Sequence, residues 1–121
     1  MIRHGQPPYL ECSSRGDHRF SAFYARIDGI SIETRYQAAK VFAAGKTNLK
    51  WQAAKGRCPI NIEFCRDLYS RLWDQYIADH PELVPVLQSA TGLSDMFGQP
   101  GHVCQATELW RIKQTLEVAA Q

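Results

Sequence analysis

Apolar and polar positions along the chain alternate in two rhythms, and the change from one to the other divides it into elements. Tyr9 to Ser13 alternates weakly, as a short strand does, and Phe20 to Ile27 is aromatic-rich and strand-prone. Asp28-Gly29 between Ile27 and Ile30 predicts a tight turn. From Ser31 the spacing becomes helical, with Ile32, Tyr36, Ala39 and Ala43 on one face of a helix running to Ala44. Ser31 supplies an N-cap and Gly45 a stop. A short helix is expected over Leu49–Lys55. A long one follows Asn61 to about Asp79, its apolar band made by Cys65, Leu68, Tyr69, Leu72, Trp73, Tyr76 and Ile77. Pro81 suits a first helical position, whereas Pro85 predicts an irregular turn over Glu82–Ser89. Thr91 to His102, with three glycines and a proline, reads as loop. Gln105 to about Ala119 is helical again, with Leu109, Ile112 and Leu116 inward.

The fold expected is α+β and predominantly helical, a small N-terminal β element packed on a helical body. A chain of 121 residues has room for one core, so 1–121 reads as a single domain with a tail over 1–8. A net charge of +2 predicts no broad footprint for nucleic acid or anionic membrane. No apolar run nears a membrane span and residues 1–8 lack an export signal, which points to the cytoplasm. Cys12, Cys58, Cys65 and Cys104 form no C-x-x-C pair, so buried free thiols are expected, not a zinc site. His102-x-Cys104 is at most half a ligand set. No cofactor is called for.

Three groups of residues can carry chemistry. Glu33, Gln37 and Lys40 lie on one helical stripe: an acid, an amide and an amine. Such a stripe is ordinarily a solvated face, although its place just after a turn also suits a pocket wall. The loop Gly92–Gly101 joins Asp95 to Phe97 among permissive glycines, and reads equally as a ligand loop or a plain connector. Phe20, Phe23 and Tyr24 sit beside Arg15, Arg19 and Arg26, a combination that suits a nucleotide but at this ring density also suits a core.

In order, these stretches resemble the NADAR (YbiA-like) family of N-glycosidases. Phe20-Ser21-Ala22-Phe23-Tyr24, the Asp28-Gly29 turn and Ser31-Ile32-Glu33-Thr34-Arg35-Tyr36-Gln37-Ala38-Ala39-Lys40 are similar to that family's opening. Ala53-Ala54-Lys55-Gly56-Arg57, His80-Pro81-Glu82-Leu83, Asp95-Met96-Phe97-Gly98 and Gln105–Ile112 are similar more loosely. Where the family has asparagine, histidine and tryptophan, this chain has Ala22, Thr34 and Phe97.

The resemblance implies hydrolysis of an N-glycosidic bond in a ribosyl nucleotide or ADP-ribose adduct, including adducts on nucleic acid. Glu33 and Asp95 would be catalytic. Ser21, Phe23, Tyr24, Gln37, Lys40, Arg57, Phe97 and Gly98 would contact substrate. The alternative is a nucleotide or ADP-ribose binder that kept the pocket without the catalysis.

Overall fold

A computed structural model describes residues 9–42, 51–54, 58–95 and 103–119. Its elements are β1 (Tyr9–Glu11), a 3-10 turn (His18–Phe20), β2 (Arg26–Ile27), β3 (Ile30–Ser31), α1 (Ile32–Ala38), α2 (Trp51–Ala54) and α3 (Ile62–Asp79). A second 3-10 turn (Pro81–Leu83), α4 (Val84–Ser89), β4 (Gly92–Ser94) and α5 (Gln105–Ala119) complete it. The fold is α+β with helix dominating.

The β2–β3 hairpin turns where expected. Asp28 (φ 52°) and Gly29 (φ 80°) both take the left-handed conformation that a two-residue hairpin needs, and Arg26 pairs with Ser31 in register. The hairpin feeds straight into α1, whose first amides are all engaged. Ile32 N donates to Ala25 O, Glu33 N to Ala22 O, and Thr34 N to the Ser31 hydroxyl at 3.1 Å. Ser31 is therefore the cap the spacing predicted. Ser31→Ala is expected to cost about 1 kcal/mol, read as a lower urea midpoint; an unchanged midpoint would show the cap to be dispensable.

Helix α1 is shorter than expected, ending at Ala38, and Ala43 to Gly45 lie outside the described residues. Asn61 accounts for the early end. It stands at the start of α3 but makes no side-chain cap there. Its amide instead donates to Ala39 O and accepts from Val41 N, tying the chain leaving α1 to the root of α3.

Helix α3 is the spine. Cys65, Tyr69, Trp73, Tyr76 and Ile77 are buried along it, meeting Phe20, Ile32, Leu83, Leu87 and Leu109. Leu68 and Leu72, expected in the same band, are half-buried at its edge. Pro85 does not disrupt the segment after α3. A 3-10 turn starts at Pro81 and α4 restarts at Val84, so Pro85 falls in a first turn, where no amide is missed.

The second sheet corrects the sequence reading. Gly92–Ser94, expected to be loop, is strand β4, parallel to β1 with Leu10 opposite Leu93. The expected β character of Phe20–Ile27 is confined to Arg26–Ile27; the residues before it form turns. Between β1 and β2, Asp17 caps the first 3-10 turn by accepting from Arg19 N, and pairs with the Arg19 guanidinium at 2.7 Å. That hydrogen bond from Arg19 holds the Asp17 carboxyl below the usual carboxylate range. The contribution is therefore present above the ordinary carboxylate pKa and lost as pH falls through the folded value. With Arg19 half-exposed it amounts to about 0.2–1 kcal/mol. Asp17→Asn is expected to shallow the acid limb of a stability–pH curve by that amount; an identical limb would rule the pair out as a contributor.

Candidate active site

Glu33, Gln37 and Lys40 overturn the expectation of a solvated face, being only 9%, 4% and 5% exposed. The 22–25 turn crosses the start of α1, through the Ala22 and Ala25 carbonyls, and α2 and α3 pack along the helix. Gln37 Nε2 donates to Glu33 Oε1 at 2.8 Å, which fixes the carboxylate from one turn below. Lys40 reaches the other way: its Nζ donates to Ala54 O of α2 at 3.2 Å and lies 5.2 Å from the Tyr36 ring centre. Burial pushes the Lys40 ammonium below its usual pKa, while the nearby Glu33 charge opposes that shift.

Asp95 follows β4 directly and joins the same neighbourhood through α5. Its Oδ2 accepts from Gln105 Nε2 at 2.7 Å and from the Cys104 thiol. Gln105 Oε1 accepts from Ala22 N at 2.7 Å, and Ala22 O accepts from Glu33 N at 2.9 Å. An unbroken path of hydrogen bonds and covalent bonds thus runs from the Asp95 carboxylate through Gln105 and Ala22 to the backbone of Glu33. Tyr69 on α3 lies within the field of both carboxylates. Desolvation drives its phenol well above the ordinary tyrosine pKa, and Glu33, Cys104 and Asp95 add to the rise. At neutral pH it is a protonated donor.

The other predicted contacts divide. Ser21 is buried and Phe23, two residues on, is half-buried. Tyr24 is exposed and stacks on His18 at 3.7 Å. Phe20 belongs to the core, Arg19 is committed to Asp17, and Arg26 donates to Gly29 O within the hairpin. Arg57, Phe97, Gly98 and His102 lie outside the described residues.

Cys12 and Cys65 are the buried free thiols expected, whereas Cys58 is exposed and Cys104 half-buried. Burial raises the Cys12 thiol far above its usual pKa, leaving it protonated and unreactive. Among the described residues no three His, Cys, Asp or Glu side chains gather as a metal site needs. None of the described helices is long and apolar enough to cross a membrane.

Gln105 and Tyr69 were not legible as site residues. A glutamine opening a helix and a tyrosine in an apolar band are ordinary in sequence, and only the fold gives them partners. No family model, curated protein or solved structure matches the chain.

What the site offers chemically is a fixed carboxylate in a low-dielectric wall. Glu33 is held at its backbone by Ala22 and at one oxygen by Gln37, so little reorganisation is needed when charge develops beside it.

Proposed function

We propose that the protein hydrolyses the N-glycosidic bond of a ribosyl nucleotide or ADP-ribose adduct, with Glu33 as the catalytic carboxylate. The observation that carries the reading is the burial and double anchoring of Glu33 at the first turn of α1. Cleavage of a ribosyl C–N bond builds positive charge on the sugar. A fixed carboxylate stabilises that oxocarbenium-like transition state or takes a proton from the attacking water. Asp95, steadied by Gln105, holds a ribose hydroxyl or shares the electrostatic task. Gln37 keeps Glu33 in place.

The Lys40 amine is buried and directed at the Ala54 carbonyl, which suits a part of the wall better than an open phosphate clamp. Phosphate contact then falls to arginine, of which Arg15 is exposed in the turn that follows β1. Half-buried Phe23 is the ring assigned to stacking on the base.

The test is release of free base from ADP-ribosylated guanosine and from ribosylamino-pyrimidine nucleotides by purified protein. Turnover establishes the hydrolase. Tight binding of ADP-ribose without turnover moves the assignment to a nucleotide-binding protein that uses the same residues.

A further inference from the structure

Two of the cysteines meet at the end of β4. Cys12 follows β1, and its N–H donates to Ser94 O at 2.7 Å, which carries the parallel ladder one step past Glu11 and Ser94. That step sets Cys12 opposite Asp95. Partners in such a pair lie about 4.8 Å apart and point to the same face of the sheet. The face is the inner one, since Cys12 and Leu10 share it and both belong to the core. Cys104 reaches the same place from α5. Its Sγ donates to Asp95 Oδ2 at 3.7 Å, and its carbonyl accepts from Glu108 N at 3.2 Å, which fixes it at the head of the helix. Asp95 therefore neighbours both thiols, and both Asp95 and Cys104 act electrostatically on Cys12.

We propose that Cys104 and Cys12 are a redox pair, joined by a disulfide oxidant of the glutathione class, and that the bond releases Asp95 from its thiol donor. Half-buried Cys104 is the sulfur that such a reagent reaches, whereas fully buried Cys12 is shielded from it. Cys104 attacks oxidised glutathione, its proton leaves with the first glutathione thiol, and a mixed disulfide remains. Cys12 then attacks the Cys104 sulfur. The bond from Cys104 to glutathione breaks, and the second glutathione departs with the Cys12 proton, relayed by the Asp95 carboxylate. Two protein thiols are oxidised to one disulfide, and one oxidised glutathione is reduced to two thiols. Burial holds the proton on Cys12 and makes this second step the slow one.

The bond ties β1 to the head of α5 and closes most of the chain into one loop, the length at which a cross-link restricts the unfolded chain most. Asp95 Oδ2 keeps the Gln105 amide but loses the sulfur donor. Gln105, the next residue after Cys104, carries the path to Ala22 and on to Glu33, so the link acts on that path at its root. The pairing of the two sulfurs is independent of the proposed hydrolysis; its effect on turnover rests on that reading.

The test incubates folded wild-type protein in mixtures of reduced and oxidised glutathione, quenches in acid, blocks free thiols and maps the peptides by mass spectrometry without reduction. A linked Cys12–Cys104 peptide is expected, formed without denaturant and removed by dithiothreitol. In Cys12→Ser the same treatment is expected to stop at the glutathione adduct of Cys104. Linked protein is expected to release base about tenfold more slowly than reduced protein, with recovery on reduction. Wild type that stops at the Cys104 adduct, joins Cys58 to Cys65 instead, or joins Cys12 to Cys104 only in urea overturns the proposal. So does linked protein that releases base as fast as reduced protein. A link in a protein that releases no base in either state sustains the pair and removes the hydrolase reading. Base release by a protein that never forms the link does the reverse.

Discussion

Glu33→Gln is expected to lower the rate of base release by about 10²–10⁴-fold, while leaving the fold and ligand affinity close to wild type. The substitution is nearly isosteric. Its amide oxygen still accepts from Gln37 Nε2, and the backbone N–H still donates to Ala22 O. What disappears is the negative charge. Only the transition state carries the developing positive charge, so the loss falls on kcat more than on KM. The pair of measurements is single-turnover base release and a urea melt. A variant that folds, binds and turns over at the wild-type rate removes Glu33 from the chemistry. A variant that fails to fold shows instead that the charge is structural, and Glu33→Asp then separates the two, since it keeps the charge and moves it back by one methylene.

How far this site could be seen beforehand depends on the range over which each feature is encoded. Helix α3 was legible to its ends because its apolar positions repeat over eighteen residues and Asn61 and Pro81 bracket it. The hairpin was legible from Asp28-Gly29, since few pairs accept two successive positive φ angles. Strand β4 was not. Three residues beginning with glycine have no periodicity of their own, and the β1 partner is more than eighty positions away. The stripe of Glu33, Gln37 and Lys40 was visible, but its burial was not. An acid, an amide and an amine look solvated until α2, α3 and the Ala22 turn close over them. Asn61 shows the same limit in reverse: its type and place suggest a cap, and the fold employs it to stitch α1 to α3. Local signals decided the elements, and long-range hydrogen bonds decided the site.

Gly16→Ala is expected to be severely destabilising for a single added methyl. The β carbon would lie 1.9 Å from the backbone oxygen of Glu11 and 2.5 Å from its carbonyl carbon. Gly29 is a glycine for conformational reasons, with open space around it, whereas Gly16 is one because strand β1 passes where a side chain would stand. Backbone cannot swing aside as a flexible side chain does. The loop would have to lift off β1, breaking the bond from Asp17 N to Glu11 O at 2.8 Å. Glu11 would move with it. That residue is 1% exposed, and its carboxylate accepts from Ser13 N and from the Ser94 hydroxyl at 2.7 Å, joining β1 to β4. Each buried bond lost costs about 1–3 kcal/mol, more where a charge is stranded, against a total stability of about 5–15 kcal/mol for a domain. The expected result is a loss of several kcal/mol in urea unfolding, or no folded protein at all. Where some folded protein remains, base release should fall as well, because Asp95 takes its position from the end of β4. A Gly16→Ala protein within about 1 kcal/mol of wild type would mean that β1 yields at Glu11 far more easily than close-packed backbone does, and that the β1–β4 ladder does not set the place of Asp95.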